Sequence, residues 1–509
     1  MATDDCGMRP EGMKKRPAAL WVVLLVAIAA RLYSVGAPLT DGGQERQTQV
    51  ATIARNLYRE HLNVLYPRMD SFAPDPGYVT LEFPLQPALM AVAYHAFGIH
   101  DIIGRLITIA FSMGSVMFMY LLASRFFLPS NAALAATAIY ALTPMSIYFG
   151  RAVFPESLLL FFSLGALYFL LRWSEGLQWR HYGLSLGFAS LAFLVKAPPG
   201  LVMILPYAAV WWSRWQRDSF RRIDFYAYFL LAMAPIVLWA LWANSIGPPE
   251  PGWNPYQLSA IRRWGIPYAW LSAGFYSWVI KSTVMVVLTP AVTLLCIVGL
   301  VEARHHRLVL VVYAWVAAMV AYVFLTPGAQ MSHWNYQVPL IPIGALLAGI
   351  GIDSLRGNPR AVAVWQALFR RSMAVAGLAV LIVFGHGVIY AAVIRDAYDI
   401  RKRVPVAVEV GKIVKKEIPN EGFLLLVQPN MVPVAQTYYM DRKVRNLVDV
   451  NKSEVDQWIA RGAVGIVAVD TPYGSGTEMV RKNPELLSYL RKNFRMVVES
   501  EHYMIYSFR

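Results

Sequence analysis

Residues 14–35 read KKRPAALWVVLLVAIAARLYSV. Two lysines and an arginine precede an unbroken apolar run, residues 18–30, and only Arg31 interrupts its continuation. A helix on the surface of a soluble core keeps a polar face at helical spacing. This run has none, and its length approaches the roughly 20 residues that cross about 30 Å of hydrocarbon. Cations ahead of an apolar run also suit a signal peptide. No clear small-residue cleavage site follows, so the run reads as a retained first span. Residues 1–16 are then a cytoplasmic tail.

The rest of the chain repeats the pattern. Of its 509 residues, 57% are hydrophobic and 15% charged, against about 25% charged in a soluble domain. The net charge of +15 sits mostly in short loops between apolar runs, where arginines and lysines orient spans. No basic helix with interleaved aromatic residues is present, which excludes a nucleic-acid partner. Cys6 in the tail and Cys296 in an apolar run form neither a disulfide framework nor a metal set.

Alternation of loops predicts about eleven transmembrane helices, a polytopic α-helical membrane protein. After the first span, residues 36–101 form an external loop with helical patterns at 48–58 and 85–97. Spans two and three cover 102–126 and 131–148, and the fourth ends at Arg172. The fifth rises to Lys196 and the sixth descends from Gly200 to a loop with Arg214, Arg217, Arg221 and Arg222. The seventh climbs to about Asn244, and an external stretch runs to Lys281. The eighth reaches Arg304 and Arg307, the ninth rises to the segment around His333, and the tenth falls to Arg356 and Arg360. The eleventh follows Arg370 and Arg371 and ends outside near Arg395. Short inward loops after span three carry arginines, as positive-inside orientation demands.

Residues 17–398 are thus the membrane domain, and 399–509 a small C-terminal extracytoplasmic α/β domain. Strands are expected at 423–427, 464–469 and 495–499, and helices at 433–440, 452–460 and 477–492. This domain is read as a separate unit that adds little to the chemistry.

That topology gathers the unusual side chains on one face of the membrane. Asp41, Glu45, Arg46, Asp70 and Glu82 lie in the first external loop. Arg151 and Glu156 flank the turn between spans three and four, and Lys196 ends span five. His333, Tyr336 and Gln337 lie between spans nine and ten. Each has a plainer reading: Lys196 as a snorkelling lysine, Glu156 as a first-turn acid favoured by the helix dipole, Arg46 as an interfacial anchor. Convergence of both charge signs from distant segments favours function. Transfer of a sugar from a lipid phosphate needs cations on the leaving phosphate and a carboxylate to take the acceptor's proton. Arg151, Lys196, His333 and Arg46 are candidate phosphate ligands. Glu82, Asp70, Glu156, Tyr336 and Gln337 are candidate substrate contacts.

Seven stretches carry a resemblance: DGGQERQTQVATIARNLY from Asp41, YPRMD from Tyr66, EFPLQPALMA from Glu82, RLITIAFSM from Arg105, YFGRAVFPESLLLF from Tyr148, FLVKAPPG from Phe193 and HWNYQVPLIP from His333. In this order they resemble bacterial glycosyltransferases of the GT-C superfamily, in the branch of the protein O-mannosyltransferases and the aminoarabinose-to-lipid A transferase. The resemblance implies inverting transfer from a polyprenyl-phosphate sugar to a lipid, glycan or protein acceptor outside the cytoplasmic membrane. It implies an acidic base in the first loop, which maps onto Asp41, with Glu45 the rival because QER stands where relatives carry an acidic pair or a tryptophan. It also maps the PE carboxylate onto Glu156, the lysine-proline turn onto Lys196, and the histidine-tyrosine-glutamine turn onto His333, Tyr336 and Gln337. No metal or other cofactor is expected. The rival readings are a transporter or flippase, which would place charges near the midplane with inverted repeats, and a polymerase or ligase of lipid-linked glycans.

Overall fold

The computed structural model describes residues 17–246, 269–332, 334–357, 359, 406–429, 434–447, 450–471 and 474–508. The N-terminal tail, most of the external stretch before Lys281, His333, Arg360 and the eleventh span lie outside the described residues.

Helix α1 (Pro17–Leu32) starts on a proline, which loses nothing in a first turn that has no N–H partner. The external loop folds into α2 (Gln44–Arg59) and α3 (Leu85–Phe97). The bundle continues with α4 (Asp101–Leu122), α5 (Ser130–Leu142), α6 (Pro144–Phe149), α7 (Glu156–Gly176), α8 (Trp179–Val195), α9 (Ala197–Leu201), α10 (Ile204–Trp215) and α11 (Ile223–Ile246). It ends with α12 (Ala273–Ser282), α13 (Pro290–Glu302), α14 (Val309–Leu325), α15 (Pro327–Ser332) and α16 (Leu340–Gly357).

Among the described residues, four helices are long and apolar enough to cross a membrane: Asp101–Phe127, Glu156–Gly176, Ile223–Ile246 and Leu340–Gly357. Three shorter apolar helices accompany them, Ala18–Leu32, Asn131–Leu142 and Val309–Leu325. Two expected spans are broken. The span at 131–148 divides at Thr143, which is extended (φ −60°, ψ 143°) before Pro144, because the proline ring crowds a helical residue ahead of it. The eighth divides at Thr289, whose φ of 73° is left-handed, and Ala273–Val287 meets Pro290–His305 at 105°. Pro290 supplies the break, since it cannot donate into the preceding turn.

A buried arginine bolts the first helix to this body. Arg31 donates through Nε to Ser112 Oγ at 2.8 Å, through Nη1 to the Ala27 and Ala141 carbonyls at 3.0 Å, and through Nη2 to the Ser146 carbonyl at 3.0 Å. It therefore ties α1, α4, α5 and α6 together and satisfies carbonyls at the α5–α6 break.

The C-terminal unit is an α/β layer with β1 (Phe423–Val427), β2 (Val444–Leu447), β3 (Ala463–Thr471), β4 (Gly474–Ser475), β5 (Arg495–Glu499) and β6 (Tyr503–Ser507). Five strands run in the order β2-β1-β3-β6-β5, and β4 pairs with β3. The β1 pairings are parallel and those of β6 antiparallel. Helices α17 (Val406–Glu417), α18 (Val434–Met440), α19 (Lys452–Ala460), α20 (Gly476–Arg481) and α21 (Pro484–Asn493) complete it. The expected helix at 477–492 is two helices. Asn483 caps α21 by accepting from the Leu486 amide, with Pro484 in the first turn, a start signal rather than a helix interior.

This unit does not stand apart from the membrane domain. Val444 donates to the Asp70 carbonyl at 2.7 Å and its own carbonyl accepts from Ala73 at 2.9 Å, so the external loop runs along the outer edge of β2. Phe72 and Arg445 form the bridge. An edge that would otherwise present unpaired amides is thereby covered.

Candidate active site

The site is built where α2, the turn into α7 and the α8–α9 junction meet. Asp41 precedes Gly42 and Gly43, and Gly43 adopts φ 67°, a conformation that favours glycine. A Cβ at Gly43 would also lie 2.5 Å from the Phe154 ring. The turn folds Asp41 inward: it is 1% exposed. Its Oδ2 accepts from Arg151 Nη2 at 2.9 Å and Arg105 Nη1 at 3.2 Å, and its Oδ1 accepts from Gln47 Nε2 at 2.5 Å. Gln47 in turn accepts from the Val153 amide at 3.1 Å, and the Tyr148 hydroxyl donates to the Gly42 carbonyl. Asp41 is thus a fixed, buried carboxylate. The glycines serve to bury it, and three donors hold it. Burial pushes the Asp41 carboxyl above its ordinary range, against the pull of Arg105 and the Gln47 hydrogen bond.

One residue earlier on α2, Arg46 turns to a second cluster, where it pairs with Glu82 and donates to Gln49. Lys196 pairs with Glu156, and Asn335 Nδ2 donates to the same Glu156 oxygen at 2.6 Å. The Lys196 ammonium also lies over the Tyr336 ring. Lys196 occupies an extended break between α8 and α9 (φ −156°, ψ 94°), ahead of Pro198 and Pro199. The break turns the side chain inward instead of along a helix. Burial disfavours charge on Glu82, but Arg46 and then Lys196 outweigh it and hold the carboxyl below its usual range. The two clusters share their scaffold: Arg46 and Gln47 are neighbours on α2, and Arg151 and Glu156 flank one turn. A cavity beside Arg46 and Glu82 is walled by Val50, Phe83, Pro155 and Val195.

The other candidates stand elsewhere. Glu45 Oε2 accepts from the Ala435 amide at 3.3 Å, facing the C-terminal domain. Asp70 accepts from Arg55 at 2.6 Å and Asn56 at 2.8 Å, in the contact between external loop and C-terminal domain. Gln337 is buried and accepts from Thr283 Oγ1 at 3.3 Å. His333 lies outside the described residues. Sequence reasoning overlooked Gln47, Arg105 and Asn335, although each lies inside a quoted stretch. For Arg105 the signal was available: an arginine one turn into an apolar run is costly unless paired. Among the described residues no three histidine, cysteine, aspartate or glutamate side chains gather as a metal set.

These side chains can exchange partners. Arg46 and Lys196 each hold a carboxylate that an anionic ligand could replace, and Asp41 is a fixed, buried acid close by on the same scaffold.

Residues 82–242 match the family model described as dolichyl-phosphate-mannose-protein mannosyltransferase. ArnT from Cupriavidus metallidurans bound to undecaprenyl phosphate is 14% identical, with 97% of this chain and 98% of that chain covered and a TM-score of 0.61. The Archaeoglobus fulgidus oligosaccharyltransferase in its apo form is 12% identical, over 90% of this chain and 70% of that one, with a TM-score of 0.57. The arabinofuranosyltransferase AftD from Mycobacteria is 13% identical, over 96% and 40%, with a TM-score of 0.53. No curated protein matched the sequence. In fold, the chain is similar to these proteins: a mostly helical protein with several apolar, membrane-type helices and a small C-terminal α/β domain.

Proposed function

We propose that the chain is a membrane glycosyltransferase that moves a sugar from a polyprenyl-phosphate donor to an extracytoplasmic lipid, glycan or protein. Its membrane is the cytoplasmic one, with the site and the C-terminal domain facing outward. The observation that carries this reading is the pairing of Lys196 with Glu156 and of Arg46 with Glu82, two cations on the scaffold that holds Asp41. A lipid phosphate entering here replaces the carboxylates as partner of the ammonium and guanidinium, in charge-assisted hydrogen bonds.

The acceptor's hydroxyl oxygen then attacks the sugar's anomeric carbon from the face opposite the phosphate. The carbon–oxygen bond to phosphate breaks, and Lys196 and Arg46 stabilise the charge left on the polyprenyl phosphate. Asp41 takes the hydroxyl proton. A carboxyl raised by burial accepts that proton more readily than an exposed one, which suits a base. Arg105 and Arg151 keep it in place. Glu156 and Tyr336, which flank Lys196, border the sugar. Undecaprenyl phosphate bound to ArnT supports a polyprenyl-phosphate donor here.

The test is transfer by purified protein from polyprenyl-phosphate sugars, alongside binding of undecaprenyl phosphate. Binding that depends on Lys196 together with sugar transfer supports the reading. Absence of both overturns it.

A further inference from the structure

The C-terminal domain reaches the catalytic layer through two adjacent tyrosines. Tyr438 and Tyr439, on α18, donate their hydroxyl protons to the two oxygens of Asp101, at 2.7 and 2.8 Å. The Tyr439 oxygen also accepts the Leu39 amide at 2.6 Å. Leu39 is fully buried and lies two residues before Asp41. Asp101 opens α4, and one turn later α4 presents Arg105, which pairs with Asp41. A single side chain of the distal domain thus touches the two strands of structure that fix the candidate base: the backbone before it and the helix carrying its guanidinium. Burial and the neighbouring Asp101 charge raise the Tyr439 hydroxyl, so it keeps the proton it donates.

The rest of the interface reinforces the same element. Arg55 of α2 donates to the Tyr438 carbonyl at 2.7 Å and pairs with Asp441 at 2.8 Å, and Arg59 pairs with Asp441 at 2.6 Å. Helix α2 carries Arg46 and Gln47 at its other end, where Glu45 accepts from the Ala435 amide, so the domain holds both ends of the helix that faces the site.

We infer that Tyr439 is a positioning residue for Asp41, and that the C-terminal α/β domain is a working part of the site. The inference rests on the proposed transferase reading. It departs from the expectation that residues after about 400 add little to the chemistry.

The test compares purified full-length Tyr439→Phe with Tyr489→Phe. Tyr489 bonds Asp456 inside the same domain, away from α18, and controls for loss of domain stability. Sugar transfer is measured with undecaprenyl-phosphate-linked donor, and amide exchange is followed over residues 39–47. Misplacement of a base by a fraction of an ångström should lower kcat about 10- to 100-fold while donor KM stays near wild type, because Lys196 and Arg46 are untouched. Exchange should quicken beyond Leu39, through residues 41–47. Wild-type kcat with exchange altered at Leu39 alone would overturn the inference, as would equal losses in Tyr489→Phe. If no form of the protein transfers sugar, the transferase reading fails. The spread of exchange then decides the coupling by itself.

Discussion

The ammonium of Lys196 lies 4.5 Å from the centre of the Tyr336 ring while the same nitrogen pairs with Glu156. Its charge is held on one side by an aromatic face and on the other by a carboxylate with no exposed surface. Lys196→Met keeps the apolar stem and removes that charge. Donor-lipid affinity should fall on the order of ten- to hundredfold, the worth of a charged hydrogen bond. The variant should also lose about 3–5 kcal/mol of stability, because Glu156 is left buried and unpaired. Lys196→Met with Glu156→Gln should recover the stability and not the affinity, read by thermal unfolding and undecaprenyl phosphate binding. Affinity at the wild-type level in either form would leave Lys196 a structural partner of Glu156 with no part in donor binding.

Asp41→Asn preserves shape and hydrogen-bonding room between Arg105 and Arg151 but cannot take a proton at neutral pH. Transfer should drop roughly 10²- to 10⁴-fold, the usual worth of a general base, with donor binding close to wild type. Full activity in this variant would move the role to Glu45, whose carboxylate faces Ala435. Single-turnover transfer from lipid-linked sugar decides between them.

Glu82 gives a pH signature. Its folded-state carboxyl lies below the ordinary value of 4.5 because Arg46 and Lys196 outweigh its burial. A depressed acid stabilises the fold above its unfolded value, and that contribution is lost as pH falls through the folded one. Wild-type melting temperature should therefore decline below pH 4.5 more steeply than that of Glu82→Gln. Parallel curves for the two proteins would contradict the pairing.

Gly150 tests the Arg31 bolt. A Cβ there would collide with Arg31 Nε and the Ser146 carbonyl, and would come within 2.6 Å of Ser112 Oγ. Gly150→Ala should cost about 1–3 kcal/mol by overpacking, measured as a lowered midpoint of thermal unfolding in detergent. An unchanged midpoint would mean that the guanidinium can shift freely.

Orientation is open to labelling. In a Cys6→Ser background, a cysteine replacing Leu62, which is 49% exposed, should react with an impermeant thiol reagent in intact cells. One replacing the exposed Asp218 should stay unlabelled until the cells are permeabilised. Cys296 is buried and silent. The opposite pattern would invert the proposed sidedness.

Much of this arrangement was legible in the chain, for definable reasons. Long apolar runs declare spans, and the short, β-branched or leucine-rich apolar runs near Phe423 and Val467 declare buried strands, because run length separates the two. Lys196 and Glu156 stood out as ionisable groups beside prolines at the ends of such runs. Arg31 did not, since an arginine ending an apolar run looks like an interfacial flank until its carbonyl partners are seen. Strand β2, VRNL, is too short and polar to read alone. It is a strand because β1 pairs with it on one side and the external loop covers the other. The breaks at Thr143 and Thr289 were readable from the prolines that follow. The pairing of Val444 with Asp70 was not, because both partners are backbone groups and leave no mark in residue type.

That last pairing orders events during synthesis. The segment at Asp70–Ala73 leaves the ribosome long before Val444 exists, and chain growth at about 5–20 residues per second sets the interval at tens of seconds. Throughout it the loop lacks its edge partner, and the Leu39 amide lacks the Tyr439 oxygen. The proposed site therefore gains these contacts only once the C-terminal domain has been made. A ribosome that stalls before Val444 would leave a membrane-inserted bundle whose site is still unassembled.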